Sequence, residues 1–480
     1  MKIGLIAHGY PPELIGGTEN SVQALGRALA GIGHEVFVVA GSMDYQDGLR
    51  RSLAEDADPV SGRTLRVHRI HRADLFFDHW QKSASPAAGQ LFEDILREES
   101  PDVINVHHWI RLSRDLVMRA ALLDIPAVVT LHDLWTTCLI SFRIRPDTKR
   151  FCTAKLAPDP CGACASILPP ATPWLNPEEL AHRVTEFALD TKRELELAAA
   201  VVAPSAGHVR TAAQYLDAPG ALGNVHVLPP ARIPQPLSAQ HDPLPDAGFT
   251  QASPLLLAHF GKWSELKGTD FLLEALALTR DPSRFRLLLA GDPSTPGFDR
   301  KLRAFAAHNL PADSVTFFGA YDSAQLSEHA LGSAHLFVTG TRAHESFGLV
   351  VDEALELGMG CLLPNLGAMG ERASKVAWAT VFESGEAQSL ADLLDEVCDS
   401  PERVAALREA AICAVLEEDF TARAASQDVL ASSVLGVLEE AIQSGVPSAP
   451  LAALRKVDWA AREARLQNQN EAWDAALSSS

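Results

Sequence analysis

The sequence predicts an α/β protein built from two facing Rossmann-like domains, each a parallel sheet wrapped by helices, with a C-terminal helical extension. Three observations predict it. Short apolar or β-branched runs alternate with helix-length amphipathic stretches from the first residues onward, as in strands buried on both faces. The alternation breaks at residues 229–254, where seven prolines fall within 26 residues; proline blocks helix and central strand alike. It then restarts, so the break reads as a connector between two series of βα units.

The elements follow in order. Residues 2–7 (KIGLIA) form a buried first strand, and 19–32 carry Val22, Leu25, Leu29 and Ile32 at helical spacing. Segments 35–40, 103–107, 127–131 and 199–203 are further strands of the first domain. Beyond the connector, 254–260, 286–290, 315–317, 334–338 and 361–364 are strands separated by helices. Helical spacing runs over 421–444, breaks at 445–450 (GVPSAP) and resumes over 451–477 with Trp459, Leu466 and Trp473. The expected division is 1–228 for the first domain, with a cysteine-rich insertion at 138–164, then 229–254 for the connector and 255–420 for the second domain. Helices over 421–480 are expected to return to the first domain.

Composition narrows the function. The 480 residues carry 41 Lys plus Arg against 61 Asp plus Glu, a formal charge of −20 with His neutral. That argues against a general nucleic-acid partner, because phosphate backbones need a basic footprint. Apolar residues at 47% and charged residues at 21% are ordinary globular values. No apolar run approaches the roughly 20 residues of a transmembrane segment, and the five-residue run at 3–7 is too short for a signal peptide. Seven cysteines, an odd number, fit a reducing cytoplasm better than a disulfide framework.

Ligands of doubly wound sheets bind past the carboxyl ends of strands, so chemistry is expected in the loops that follow them. The sharpest such stretch is TRAHESFGLVVDEALELGMG at 341–360. Glu345 falls in the loop, and Glu353 on a helix over 347–357 that Ser346 would N-cap. At 1.5 Å per residue, Glu353 then stands about 10 Å along from the free N–H groups of the first turn. That span suits a nucleoside diphosphate with its phosphates on the helix N-terminus and its ribose at the second carboxylate. Gly348, without a Cβ, lets the backbone approach an anion. Two surface carboxylates on an ordinary helix are the bland alternative.

GKWSELKGTD at 261–270 follows a strand, and its Lys262 and Lys267 fit a diphosphate clamp that neutralises a leaving group. In HGYPPELIGGTE at 8–19, Gly16 and Gly17 free the backbone ahead of a helix beginning near Thr18, although the spacing is not a dinucleotide fingerprint. TLHDLW at 130–135 ends a strand with His132 and Asp133, and His107 and His108 are similarly placed. A lone His is more often structural; the strand-end position favours function.

Cys138, Cys152, Cys161 and Cys164 are separated by 13, 8 and 2 residues. Four thiolates at such spacing can close a tetrahedral structural zinc, with free buried thiols as the alternative. The surrounding loop holds Arg143, Arg145, Lys149, Arg150 and Lys155 against Asp147 alone, which fits an anionic acceptor or a lipid headgroup, or simply a solvated loop. Asp56 and Asp58 form an Asp-x-Asp in a polar stretch with no preceding strand, so no catalytic metal is expected.

Taken together, GGTE (16–19) with GHEV (33–36), HD (132–133), APS (203–205), GKWSELKG (261–268), AGD (290–292), FFG (317–319) and ESFGLVVDEAL (345–355) resemble family four of the glycosyltransferases. That is a retaining group with the B-type, two-Rossmann architecture, and the motifs occur in its order across about residues 1–440. The stretch from HDLW to CGAC (161–164) is similar to a cysteine-bearing subgroup. Three departures stand out. Lys262 takes the place of the usual Arg, PPARIP (229–234) that of Asn-Gly-x-Asp, and LGAMGE (366–371) that of a Gly-Gly before Glu.

The resemblance implies a metal-independent, retaining transfer from a UDP-, GDP- or TDP-linked sugar to a hydroxyl of a glycan, glycolipid, protein or small molecule. It implies no catalytic cofactor, a cytoplasmic setting, and at most peripheral membrane contact. Lys262 and Lys267 would hold the donor diphosphate beside Gly16, Gly17, Ser346 and the amides of Phe347, Gly348 and Leu349. Glu353 would bind the ribose, Glu345 the donor sugar's hydroxyls, and His132 would lie near the transferred sugar. Two rivals remain. A sugar-nucleotide epimerase or hydrolase needs a base, for which only His132 is a candidate; a non-catalytic carbohydrate-binding relative would be expected to have lost Lys267, Glu345 or Glu353.

Overall fold

Apolar runs of four to six residues bury both faces of the central strands in the computed structural model of the chain. The structure describes residues 1–44, 48–73, 83–165, 176–216, 220, 222–232, 235, 237–238, 243–321, 326, 330–416 and 427–478. The chain divides into two units, Met1–Ile233 with Ser426–Ser480, and Pro234–Ala425.

Among the described residues, the first unit holds β1 (Lys2–Ala7), β2 (Glu35–Gly41), β3 (Arg50–Ala57), β4 (Thr64–His71), β5 (Val103–Val106), β6 (Ala127–Thr130), β7 (Ala200–Ala203) and β8 (Val225–Val227). They lie in the order β3-β4-β2-β1-β5-β6-β7-β8, every pair parallel except β3 with β4. The chain leaves β1 for β2 on one side and returns to β5 on the other. The loops after β1 and β5 therefore flank the point where strand order reverses, the usual ligand position in such sheets.

β3, β4 and β8 are additions to the expected strands. β3 and β4 are charge-laden, and β4 buries its His68 by pairing it with Glu99 at 2.7 Å, while Arg66 meets the same carboxylate at 2.7 Å. Asp56, expected outside any strand, lies in β3. It accepts from Tyr10 at 2.8 Å and Arg27 at 2.6 Å, a structural duty, while Asp58 closes a turn onto Ser61.

The second unit holds β9 (Leu255–Phe260), β10 (Phe285–Ala290), β11 (Val315–Gly319), β12 (Leu336–Val338), β13 (Gly360–Pro364) and β14 (Ala379–Phe382). The order is β11-β10-β9-β12-β13-β14, all parallel. Here order reverses between β9 and β12. Each sheet is covered on both faces by an apolar core.

The last helices belong to the first unit. Helix Gln427–Ser444 sets Val434, Val437, Leu438 and Ala441 against Val22, Leu25 and Val36, and helix Ser448–Leu454 buries Leu451 and Leu454 on the sheet's other face. The single helix expected over 451–477 is two, parted near Arg455 to Asp458. The second, Trp459–Ser478, is held by charge: Arg462 pairs with buried Asp190, Glu463 with buried Arg119 at 2.6 Å, and Arg465 with Glu186 at 2.9 Å. Residues 421–426 and the side chain of Trp473 lie outside the described residues. Among those described, no helix is long and apolar enough to cross a membrane.

Candidate functional site

In the second unit, the reversal point gathers the loops after β9 and β12. Gly268 precedes helix Thr269–Leu278 at a left-handed φ of 67°. A Cβ there would stand 1.8 Å from the carbonyl oxygen of Gly340, so glycine lets the two loops meet backbone to backbone. Arg342 ties them further, donating to the Glu265 carbonyl at 2.6 Å and to Asp270 at 2.7 Å. Within this frame the Lys267 ammonium lies 2.7 Å from Glu345 Oε1, and the Thr341 hydroxyl donates to the same oxygen at 3.0 Å. The Lys267 side chain is 40% exposed, so its charge stays within reach of a dissolved anion. Lys262 is exposed in the same loop.

The helix carrying Glu353 starts later than expected. It spans Leu349–Glu356, and its N-cap is Gly348 at φ 85°, with no side-chain cap; Ser346 does not cap it. The cause is the left-handed turn at Gly348, where a Cβ would stand 2.5 Å from Met369 Cε. The free first-turn amides therefore begin at Leu349, and Glu353 sits about 6 Å along the axis rather than 10. Arg372 pins this start by donating to the Gly348 carbonyl at 3.0 Å and to Asp352 at 2.5 Å, with its guanidinium 4.3 Å from the Phe347 ring centre. Burial, and then the charge of Glu353, push the Tyr321 hydroxyl's pKa up. Sequence reasoning passed over Thr341, Arg342 and Arg372, although each lies inside or beside a quoted motif.

In the first unit, histidines cluster at the ends of β1, β5 and β6. Gly16, in extended backbone, is the N-cap of helix Gly17–Gly31. Glu19 on that helix accepts from His8 at 2.8 Å, and His8 packs on His108 with ring centres 4.7 Å apart. Nδ1 of His108 accepts from the amides of Trp109 and Ile110, which leaves its Nε2–H to donate to Asp133 at 3.3 Å. Burial alone would raise the Asp133 carboxyl; His108 turns the net shift downward. His132 Nε2 lies 2.9 Å from His107 Nδ1. Burial, reinforced by His108, pushes the His132 pKa to about 3, and burial and His132 hold His107 well below the usual range.

The loop behind them is braced by aromatics. Trp135 donates its amide to Asp133 at 2.8 Å and stacks on Trp109 at 5.2 Å, and the Trp109 indole donates to buried Glu194 at 2.8 Å. His107, Thr130 and His132 border a small cavity with Ser21, Leu228 and Pro230.

Cys138, Cys152, Cys161 and Cys164 are free thiols that line one cavity, and burial pushes the Cys138 thiol up to about 11. Among the described residues, no three His, Cys, Asp or Glu side chains are grouped closely enough to hold a metal ion. Arg143, one of the basic loop's cations, is buried rather than solvent-facing, with its guanidinium on the carbonyls of Thr137 and Cys152.

Two family models match the chain in series: Glycosyltransferase Family 4 over residues 15–232 and Glycosyl transferases group 1 over residues 248–412. Among curated proteins, the chain is similar to the glycogen synthase of Mycobacterium tuberculosis, 28% identical over 147 residues, covering 28% of this chain and 33% of that one. It is also similar to the D-inositol 3-phosphate glycosyltransferase of Rhodococcus opacus, 31% identical over 152 residues, covering 31% and 34%. The match thus spans about a third of either relative's length. Among solved structures, Anabaena Alr3699/HepE in complex with UDP and glucose shares the fold with a TM-score of 0.58 at 15% identity, over 92% of this chain and 99% of that one.

Proposed function

We propose that this chain, which belongs to the group 1 glycosyltransferases with a family 4 N-terminal part, moves a sugar with retention from a nucleoside diphosphate donor to an acceptor hydroxyl. The observation that carries the reading is the Lys267–Glu345–Thr341 cluster at the strand-order reversal of the second sheet. Lys262 and Lys267 neutralise the donor diphosphate, and the first-turn amides from Leu349 onward add their dipoles. Glu353 takes the ribose hydroxyls. Glu345, its charge already matched by Lys267, accepts hydrogen bonds from the sugar rather than attacking it. In the first unit, Gly16 and Gly17 keep the backbone open, and His132 serves the transferred sugar.

The bond from the anomeric carbon to the phosphate oxygen breaks as the acceptor oxygen bonds to the same face of that carbon. The acceptor's proton passes to the departing phosphate oxygen. The products are a glycoside and a nucleoside diphosphate, and no protein adduct forms. Catalysis is then positioning and charge stabilisation. The HepE structure holds UDP and glucose, which supports UDP-glucose as the first donor to try.

The test follows nucleoside diphosphate release from UDP-, GDP- and TDP-sugars with and without acceptors, and reads the product's anomeric configuration by NMR. Acceptor-dependent release with retained configuration is expected. No release from any donor, alongside tight sugar binding, would overturn the reading. For the cysteine loop we propose a structural zinc, which requires the four sulfurs to close on it. One zinc per chain by elemental analysis is the expected result, and a metal-free, fully folded protein would retire it.

A further inference from the structure

We infer that His107 is a positioning residue that fixes the tautomer of His132, so that His132 meets its ligand as a hydrogen-bond donor through Nδ1–H and not as a base. The inference rests on the transferase reading only in taking His132 as the residue that meets the sugar.

The geometry is a proton shared between two rings. His107 Nδ1 and His132 Nε2 are 2.9 Å apart, with ring centres 5.2 Å apart and planes 30° from parallel. A neutral imidazole carries one N–H, so only one ring can donate. In the first arrangement His107 donates from Nδ1, and His132 must carry its own proton on Nδ1. In the second His132 donates from Nε2, and the proton of His107 moves to its Nε2.

The surroundings of His107 choose between them. The residue is 3% exposed, and its Nε2 is buried with no hydrogen-bond partner. A proton placed there would be a buried N–H with no protein acceptor, which folded proteins avoid more strictly than an unpaired acceptor. The first arrangement leaves only a lone pair in that position. His132 then holds Nδ1–H, and its Nδ1 has no hydrogen-bond partner among the described residues.

Both rings are neutral. Burial lowers both pKa values. The groups facing His132 are His8 from the β1 loop, Glu19 from the first helix, His108 from the β5 loop and Asp133 beside it. The two histidines oppose its protonation and the two carboxylates favour it; burial outweighs the carboxylates.

Two chemical consequences follow. The lone pair of His132 Nε2 is occupied by His107, so His132 cannot accept the proton of a water or a sugar carbon. That removes the base an epimerase or hydrolase would need. Its Nδ1–H instead matches an oxygen lone pair on the transferred sugar, and strengthens as that oxygen gains charge.

The experiment uses the full chain labelled with ¹⁵N-histidine. Long-range ¹⁵N–¹H correlations, assigned by loss of signals in His132→Gln, are expected to show His132 protonated on Nδ1 throughout pH 5 to 8. A proton on Nε2 in the unaltered protein overturns the inference, and this readout stands even with no transferase activity. Kinetics supply the second arm. His107→Phe is expected to lower kcat by about tenfold or more, to change donor KM less, and to give the rate an acidic limb that the parent lacks. His107→Asn, whose amide can donate from nearly the same place, is expected to restore most of the rate and abolish that limb. Equal loss in Phe and Asn variants that both fold would assign His107 a packing role and overturn the proposal.

Discussion

On the proposed reading Lys267 serves two partners. Its ammonium balances Glu345 at 2.7 Å, and an arriving diphosphate would compete for the same charge. Lys267→Ala and Glu345→Gln should therefore fail differently. The lysine variant should bind free nucleoside diphosphate about tenfold or more weakly, whereas the Glu345 variant should bind it nearly as before and lose up to about a hundredfold in kcat/KM with the intact donor. Titration calorimetry with nucleotide and sugar nucleotide separates the two; equal losses of nucleotide affinity would refute the division of labour. Glu353→Ala should weaken both ligands. The loop positions of Lys267 and Glu345 were legible from sequence because each lies just past a strand. Thr341, which donates to Glu345, and Arg372, which holds the Gly348 carbonyl and Asp352, were not, since a threonine or arginine acquires its role only from what folding sets beside it.

Buried histidines also set an acid limit on the fold. Burial pushes His208 and His259 to about 4 and His132 to about 3, from an ordinary 6.5. Between those values and 6.5 the unfolded chain binds protons that the folded chain refuses. The stabilisation is therefore complete above pH 6.5 and is lost as pH falls through 6.5 toward 4. The denaturant midpoint should drop from pH 7 to pH 4.5, and a constant midpoint would contradict the burial described.

At the scale of elements, the start of helix Leu349–Glu356 is the part most sensitive to a single side chain. Arg372 holds the Gly348 carbonyl and Asp352 together, so Arg372→Ala should raise donor KM while costing about 1–2 kcal/mol of stability. Thermal unfolding and steady-state kinetics on one sample test both; an unchanged KM would limit Arg372 to packing. The central strands were legible because continuous apolar runs have few other uses. β3 and β4 were not, because Arg66 and His68 read as surface until Glu99 is seen to neutralise them. The helix start was misplaced because Ser346 is a good cap in isolation, while the backbone turn at Gly348 is a property of its packing against Met369.

At the scale of the whole molecule, the domain boundary is visible in the proline-rich stretch, but the destination of the last helices is decided by packing. Leu438 is fully buried among residues of the first sheet's core. Leu438→Ala should cost about 2–5 kcal/mol and destabilise the first unit alone. Hydrogen exchange would show faster opening in β1 and β2 with β9 and β10 unaffected; uniform acceleration would mean the two units unfold together.

The same arrangement has a consequence during synthesis. The first unit's core waits for Val437 and Leu438, which the ribosome adds only after every residue of the second unit. The second unit can therefore finish folding first, although it is begun later. Until residue 441 clears the exit tunnel, the nascent first unit exposes the apolar face that Val22, Leu25 and Val36 later share with the late helix. In that interval a chaperone has a surface to bind.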